Sequence, residues 1–391
     1  MLRYLSAGES HGRGAFCILD GFPAGLEVCP DDLNLWLAER QKGYGRGGRQ
    51  RIEKDEVDVL SGIRGGRTLG SPILLAVWNL DFENWRAAMD PWEKPEGDRA
   101  QKVVRPRPGH ADLVGALKYG HHDCRDVLER ASARETAARV AAGALCRKLL
   151  AAFGVDLAAH VVQIGDVVAD VSGIPSEAIR ERSMNSKVRC CDADADQLMI
   201  AAIKQAKRDK DSLGGIVEAR VWGLPPGLGT HTQWDRKLDG RIAEALVGIQ
   251  AVKGVEIGLG FRGAERPGSQ YHDEIVYAPE RRAGGPYRRT TNNLGGLEGS
   301  MTTGEELVVR VVKKPISTLM RPLKSVDLNT HAVAEAAVER SDTCAVPALA
   351  IIVECSLAIV LANEFIEMFG GDTLERMKHA FDAYVEYVNQ R

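Results

Sequence analysis

The apolar run at residues 345–362 restricts the folds open to this chain more than any other stretch of its sequence. The run approaches the length of a membrane span, but Glu354 lies near its centre. A carboxylate in the middle of a bilayer costs about 2.5–3.5 kcal/mol on insertion scales. Pro347 suits the first turn of a helix. The run therefore predicts a helix buried in a protein core and no membrane association.

The remaining pattern predicts an α+β fold in a single domain over residues 1–391. Strands and helices do not alternate regularly enough for a doubly wound sheet. Residues 81–101 are polar and predict a mobile insertion. Residues 176–194 match no pattern that can be assigned. Strands are predicted at residues 14–20, 52–60, 73–78, 155–171, 216–222 and 307–312. Helices are predicted at 31–41 with Asp31 or Asp32 as cap, and at 126–153, 196–209, 239–252, 347–369 and 373–389.

One arrangement of elements occurs twice along the chain. A strand, a G-x-P-x-G-L turn and a helix follow one another at residues 14–41. The same order returns at 216–252, with the turn GLPPGL at 223–228. Two copies of one unit would produce an internal pseudo-twofold. The alternative is that Pro-Gly turns recur by chance.

The distribution of charge points to small anionic ligands. Lys and Arg total 51 against 54 Asp and Glu, a net charge of −3, which excludes a general nucleic-acid binder. Arginines nevertheless cluster with glycines, and at residues 40–51, where acids are scarce, the flexible glycines would let backbone N–H groups approach a ligand. The eight cysteines form no C-x-x-C pair, which favours a reduced, cytoplasmic location. The basic groups are Arg40, Lys42, Arg46, Arg49 and Arg51; Arg105, Arg107 and His110; Arg130 and Arg134, four apart on the predicted long helix; and Lys313, Lys314, Arg321 and Arg340.

Three short motifs match known functional patterns without their required context. GESHG at 8–12 fits the nucleophile elbow, but that motif needs a strand before it and a helix after it. GYGRGG at 43–48 fits G-x-G-x-x-G, yet it follows a helix and precedes a strand, the reverse of a dinucleotide site. His121 and His122 have no partners at metal-ligand spacing, so the sequence predicts no metal.

A set of longer stretches identifies a family. They are AGESHG (7–12), GYGRG (43–47), SGIRG (61–65), RPRPGHAD (105–112), RASARET (130–136), GIQAVKG (248–254), GGLEG (295–299), KPIST (314–318) and RSD (340–342). In this order they resemble the chorismate synthase family from residue 1 to about 365. Position 131 is Ala where that family more often has Ser. The resemblance implies a β-α-β sandwich with long core helices between two antiparallel sheets, assembled as a homotetramer.

The resemblance also implies a reaction. Such enzymes remove phosphate from 5-enolpyruvylshikimate 3-phosphate by a 1,4-elimination that yields chorismate, with reduced FMN as cofactor and no net redox change. Substrate and FMN together carry about five or six negative charges. Clustered arginines suit them, because guanidinium groups bind carboxylate and phosphate bidentately. No flavin-reductase extension is visible, so a separate flavin reductase is expected, with NADPH as an indirect reductant.

Site residues follow by matching these motifs. Catalytic roles fall to His11, which would protonate the reduced flavin or the phosphate side, to His110 as a second acid or base, and to Asp342 in proton removal from the ring. The implied flavin contacts are Arg130, Ala131, Ser132, Gln250, Ala251, Gly299, Lys314, Pro315, Ile316, Ser317, Thr318 and Arg340. The implied substrate contacts are Ser10, Arg40, Arg46, Arg49, Arg107 and Arg134, and Arg40 and Arg46 would also hold a nicotinamide phosphate.

Two other functions remain open from the residues alone. A serine hydrolase would use Ser10 of the GESHG motif as nucleophile. A non-catalytic polyanion binder would use the same arginines without releasing phosphate. Covalent labelling by a fluorophosphonate separates the first from the lyase, and a phosphate assay separates the second.

Overall fold

Two antiparallel sheets enclose a layer of helices in the computed structural model, which describes residues 1–46, 54–280, 282–339 and 341–391. The helices are α1 (Pro30–Gln41), α2 (Asp112–Tyr119), α3 (Arg125–Ala131), α4 (Thr136–Ala151), α5 (Ser176–Asn185), α6 (Ala193–Arg208), α7 (Leu238–Val247), α8 (Gly268–Tyr271), α9 (Val346–Phe369) and α10 (Leu374–Asn389). The strands are β1 (Arg3–Ala7), β2 (Gly14–Asp20), β3 (Asp58–Ser61), β4 (Ile63–Arg64), β5 (Arg67–Thr68), β6 (Ile73–Trp78), β7 (Asp156–Ile164), β8 (Val167–Val168), β9 (Gly215–Trp222), β10 (Val252–Ile257), β11 (Ile275–Tyr277), β12 (Tyr287–Arg289), β13 (Leu297–Glu298), β14 (Met301–Thr302), β15 (Leu307–Lys313), β16 (Lys324–Val326) and β17 (Val333–Glu335).

Helices α4 and α9 form the centre of the molecule. α4 packs on β2 and β6 of the first sheet, α9 packs on β7 and β9 of the second, and the two helices pack on each other. A Cβ on Gly143 of α4 would lie 2.3 Å from the Cβ of Cys355 on α9, so the absence of a side chain there permits the close approach. The predicted α+β sandwich with core helices between two antiparallel sheets is confirmed.

Glu354 occupies the middle of α9 without reaching solvent. Its Oε1 accepts a hydrogen bond of 2.8 Å from the backbone N–H of Ala159, and its Oε2 pairs with Arg147. The guanidinium carbon of Arg147 lies 3.8 Å from the ring centroid of Trp36. α9 is long and apolar enough to span a membrane, but it is almost wholly buried within the fold, as the sequence predicts for a core helix.

The internal repeat is present in the structure. Sheet one has the order β1-β2-β6-β3, and sheet two has β7-β9-β15-β10 with β8 added beside β7. The elements also follow the same order along the chain: β1, β2, α1, β3, β6 and α4 correspond to β7, β9, α7, β10, β15 and α9. Chance recurrence of Pro-Gly turns does not explain a match of this extent.

Hydrogen bonding in the two turns repeats as well. Oγ1 of Thr68 donates to the carbonyl of Pro23 at 2.7 Å and accepts from the backbone N–H of Leu26 at 3.0 Å. Thr302 makes the two corresponding bonds across the second turn, at 2.6 and 2.9 Å. The second glycine of each turn, Gly25 and Gly227, adopts a positive φ of 92°, which a residue with a side chain rarely tolerates. The pseudo-twofold therefore extends to individual side chains.

Several predicted boundaries are wrong. The helix predicted at 126–153 breaks at Ser132, which is extended (φ −64°, ψ 142°), so Arg130 and Arg134 do not share one helical face. The backbone N-cap of α1 is Cys29, while the carboxylate of Asp32 binds the N–H of Cys29 at 2.9 Å from inside the helix. The helix predicted at 239–252 ends at Val247.

The predicted strands agree better with the structure, although two of them differ in their bounds. The strands at 14–20 and 73–78 match β2 and β6 residue for residue. The strand predicted at 155–171 divides into β7 and the short β8 after a turn. The strand at 52–60 appears as β3 from residue 58, and residues 52 and 53 lie outside the described part of the chain.

Candidate active site

A cavity of about 980 Å³ opens where the N-terminal ends of the two core helices meet. This volume lies at the upper end of the roughly 300–1,000 Å³ typical of ligand pockets, which is enough for two ligands side by side. The start of α9 supplies an apolar wall through Ala348, Leu349 and Ile352. Thr136 marks the start of α4 on the lining. Helix N-termini favour anions, because their backbone N–H groups carry partial positive charge.

The cavity brings together residues that are far apart in the sequence. Of the site residues predicted from the sequence, it is lined by Ser10, His11, Arg40, Arg46, Arg107, His110, Ala131, Ser132, Arg134, Gln250, Ala251, Lys314, Ile316, Ser317, Thr318 and Asp342. All three candidate catalytic residues therefore face one space. Arg49 and Arg340 lie outside the described residues.

Three predicted flavin contacts do not line this cavity. Arg130 belongs to α3, and its guanidinium donates to the carbonyl oxygens of Ser6 at 3.0 Å and Gly8 at 3.2 Å beside β1, not to the cavity. Gly299 lies in the turn between β13 and β14. Pro315 lies between two lining residues but does not itself line the space.

The lining is strongly cationic in a protein with net negative charge. The basic side chains are Arg40, Arg46, Arg99, Arg107, Arg134, Lys313 and Lys314, and the acidic ones are Asp81, Glu339 and Asp342. Seven cations against three anions leave a formal charge of +4 among the described lining residues, without counting histidines. A concave site of this sign concentrates small polyanions.

Asp55 orients two of these arginines. Its Oδ2 lies 3.1 Å from Nη1 of Arg40, and its Oδ1 lies 2.6 Å from Nη1 of Arg134. All three side chains are buried. Nε of Arg40 also donates to Oγ1 of Thr136 at the start of α4. One carboxylate thus orients two guanidinium groups at the cavity.

His110 is held by a carboxylate that also holds an arginine. Nδ1 of His110 lies 2.6 Å from Oδ1 of Asp112, and Arg107 donates to both oxygens of Asp112 at 2.8 and 3.0 Å. Burial alone would raise the pKa of Asp112, but hydrogen bonds from His110 and Arg107 outweigh it and hold that pKa well below its usual range. The lowered pKa favours the ionised form of Asp112 at the N-terminus of α2.

His11 is also held at Nδ1 by a buried carboxylate, that of Glu129. Its Nδ1 lies 2.9 Å from Oε1 of Glu129, whose Oε2 accepts from the backbone N–H of His11 at 2.8 Å. Burial opposes ionisation of Glu129, but the bonds from His11 and the charge of Arg125 prevail and lower its pKa. A carboxylate on Nδ1 fixes the imidazole and leaves proton exchange to Nε2.

Asp342 faces basic groups. Its Oδ2 lies 3.4 Å from Nη1 of Arg46. Lys313 lines the same space and is 7% exposed, with Nζ 3.4 Å from the carbonyl of Gln250. Burial is the main reason that the pKa of Lys313 falls to about 8.

The residues matched to the flavin site fit a planar polar cofactor. Oε1 of Gln250 is buried without a hydrogen-bond partner among the residues that the structure describes, and its Nε2 donates to Glu135 at 3.2 Å. Ala251 has a φ of +69°, a strained conformation often found at ligand sites. Oγ of Ser317 donates to the carbonyl of Gly109 at 2.9 Å, which ties the loop after β15 to the loop that carries His110. A ring N–H of the cofactor could donate to the Oε1 of Gln250, and the cofactor phosphate could bind the cationic loop that carries Lys314.

The nucleophile-elbow interpretation fails on geometry. Ser10 lies in the connection between the antiparallel strands β1 and β2, with no helix after it. Its Oγ accepts a hydrogen bond of 3.1 Å from Ser132. A strand–nucleophile–helix turn is therefore absent at this serine.

Sequence reasoning missed several residues of the site. Asp112 belongs to the RPRPGHAD motif. An acidic residue at the start of a helix often accepts hydrogen bonds from the preceding loop, and this signal could have identified it. Asp55 and Glu129 bind site residues that are distant in sequence, Arg134 and His11, so no local pattern pointed to them. Trp85 and Arg99 belong to residues 81–101, for which only a mobile insertion was predicted.

Comparisons with known proteins agree with this site. A family model described as chorismate synthase matches residues 2–366. The chorismate synthase of Trichlorobacter lovleyi is 54% identical over 387 residues, covering 98% of each chain. That of Symbiobacterium thermophilum is 55% identical over 397 residues and covers 100% of both. A crystal structure of a chorismate synthase superposes with a TM-score of 0.80 at 40% identity, covering 100% of this chain and 99% of the other.

Proposed function

This chain belongs to the chorismate synthase family, and on that premise we propose that its cavity eliminates phosphate from 5-enolpyruvylshikimate 3-phosphate to give chorismate. Members of the family are lyases of the shikimate pathway, which leads to the aromatic amino acids. One observation carries the proposal: two histidines, each bound through Nδ1 by a buried carboxylate, line one cavity of net positive charge.

The arginines would hold the substrate. Arg40 and Arg134 share Asp55 and lie at the start of α4, so they suit a carboxylate or phosphate that approaches the helix N-terminus. Arg107 is fixed by Asp112 and by Oγ1 of Thr318 at 2.9 Å. Preorganised cations stabilise charge that develops on a departing phosphate, because they need no reorganisation during the reaction.

Reduced FMN would occupy the part of the cavity near Gln250, Ala251 and the loop 314–318. When bound, it supplies an electron to the allylic system of the substrate and takes it back. Gln250 offers the unsatisfied Oε1 and Lys314 a cation for the cofactor. The apolar wall from α9 would exclude water from the ring of the bound cofactor.

Proton movements would fall to the two histidines and Asp342. His110, with Nδ1 bound to Asp112, can exchange a proton at Nε2, and His11 can do the same against Glu129. Asp342, which lies beside Arg46, would assist removal of the proton from the substrate ring. His11 would protonate the reduced flavin or the phosphate side, and His110 would be the second acid or base.

The wider setting is part of the same proposal. We place the enzyme in the cytoplasm as a single-domain homotetramer, with a separate flavin reductase that draws on NADPH. The free cysteines are consistent with a reducing compartment, since most are buried thiols.

The decisive experiment is an anaerobic phosphate assay with reduced FMN and 5-enolpyruvylshikimate 3-phosphate. We expect phosphate and chorismate in equal amounts, and none with oxidised FMN. Substrate binding without phosphate release would instead indicate a polyanion binder. Covalent labelling of Ser10 by a fluorophosphonate would favour a hydrolase.

A further inference from the structure

Trp85 lies flat against the imidazole of His11. The two ring centroids are 3.8 Å apart and the planes differ by 25°. Trp85 is only 9% exposed, and its Nε1 donates to Oδ2 of Asp81 at 3.1 Å. A stacked indole blocks rotation of the imidazole about its side-chain torsions, because any other rotamer would lose the contact or collide with the ring.

The burial of Trp85 does not come from an apolar core. It belongs to none of the apolar clusters formed by the described residues. Its neighbours are instead His11 and two guanidinium groups, with Arg99 at 4.8 Å and Arg125 at 5.3 Å from the ring centroid. A large aromatic side chain buried among polar groups of an active site points to a role at that site.

Arg125 joins the stack to the carboxylate that holds His11. Its Nη1 lies 3.1 Å from Oε1 of Glu129, the atom that also binds Nδ1 of His11. The backbone N–H of Ser10 donates to the carbonyl of Glu129 at 3.0 Å, so the loop itself is fixed. His11 is thus restrained at its edge by Glu129 and on its face by Trp85.

We propose that Trp85 is a positioning residue for His11, and that the segment 81–101 places its indole against the imidazole. The inference rests on the proposed role of His11 in proton transfer. Trp85 does not exchange a proton; it keeps Nε2 of His11 at one place in the cavity. A misplacement of about 1 Å in a reacting group can reduce turnover roughly 100-fold.

The test is a double-mutant cycle between Trp85 and His11. Trp85→Ala should reduce kcat roughly 10- to 100-fold with little change in the KM for substrate. Trp85→Phe retains a stacking ring and should recover most of the activity. In a His11→Ala background, Trp85→Ala should cause no further loss, since nothing remains to be positioned.

Trp92 provides a matched control in the same segment. It is 89% exposed, and Trp92→Ala should leave turnover unchanged. If Trp85→Ala reduces kcat by the same factor with and without His11, Trp85 acts independently and the inference is overturned. If His11→Ala alone retains full turnover, the proposed role of His11 fails, and the positioning role fails with it.

Fluorescence tests the stack without any turnover. Removing a stacked imidazole should change the emission of Trp85, so His11→Ala should alter the spectrum of the otherwise unchanged protein. The same substitution should have no effect in a Trp85→Phe background. An equal change in both backgrounds would show that the two rings are not stacked in solution, and would overturn the inference even if the enzyme were inactive.

Discussion

Nδ1 of His110 and Oδ1 of Asp112 lie 2.6 Å apart, and the carboxylate has no exposed surface. The same carboxylate binds Arg107, so one buried anion orients both a candidate acid–base group and a candidate substrate cation. Such an arrangement fixes the tautomer of the imidazole and places its Nε2 towards the ligand.

Asp112→Asn should therefore reduce kcat for phosphate release about 100-fold or more, comparable to His110→Ala. The amide can donate to Nδ1 and so favours the wrong tautomer. Asp126→Asn is the matched control, because Asp126 lies 3.6 Å from Nδ1 of His121 on the surface. Flavin affinity, measured separately, should stay within a few-fold. Wild-type turnover in Asp112→Asn would contradict the acid–base role of His110.

Much of this site was predictable because its motifs are local. RPRPGHAD carries Arg107, His110 and Asp112 within one loop and one helix start, so family resemblance found them together. The strands β2 and β6 were predictable for a similar reason, since alternation depends on neighbouring residues alone. The GFPAGL and GLPPGL turns suggested the repeat, although only the structure shows that Thr68 and Thr302 bond them identically.

What could not be predicted depends on contacts between distant residues. An Ala-rich stretch at 126–153 favours a continuous helix, but Ser132 is extended because its Oγ donates to Ser10 and accepts from the N–H of Arg134. Asp55 binds both Arg40 and Arg134, although Arg134 lies 79 positions from Asp55 in the sequence. No window of local sequence contains that information, and the same holds for the stack of Trp85 on His11.

Glu218 should make stability depend on pH under acid conditions. Burial opposes its ionisation, but the bond from His160 and the charges of Arg220 and Arg310 lower its pKa from 4.5 to about 2. A lowered pKa contributes stability above about pH 4.5 that is lost as the pH falls towards 2. The gap corresponds to about 3 kcal/mol. Glu218→Gln should lose about this much unfolding free energy at neutral pH.

Urea unfolding at a series of pH values measures the effect. The difference between Glu218→Gln and the parent should shrink between about pH 4.5 and 2. Glu83→Gln is the control, because Glu83 pairs with Arg86 on the surface, where screening makes ion pairs weak. A constant difference across the acid range would show that Glu218 acts through packing alone.

Lys313 should make stability depend on pH in the alkaline range, with the same sign as Glu218 has in acid. Its pKa of about 8 means that the folded protein below that pH carries a buried ammonium which the unfolded chain keeps in water. Unfolding free energy should therefore rise as the pH increases from about 8 towards 10.5, by about 3 kcal/mol. Lys313→Met should be more stable than the parent at pH 7 and should lose this advantage above pH 10.

The control for this prediction is Lys207→Met, on the exposed face of α6. It should not alter the slope of stability against pH. Parallel curves for the parent and Lys313→Met would contradict a buried titrating amine.

Gly143 should be one of the least replaceable residues of the core. A Cβ there would lie 2.4 Å from the carbonyl oxygen of Cys355 and 2.6 Å from its Cα, so the backbones of α4 and α9 would have to separate. Gly143→Ala should cost about 1–3 kcal/mol of unfolding free energy. It should also lower turnover, because both helices begin at the cavity.

Gly240→Ala is the control and should change stability in the opposite direction. The nearest atom to a Cβ at Gly240 is the carbonyl of Trp234 at 3.7 Å, so an alanine in that helix should add about 0.4–1 kcal/mol of unfolding free energy. Chemical denaturation of both variants decides the matter, since equal stability changes would mean that helix propensity, not the close approach of α4 and α9, governs position 143.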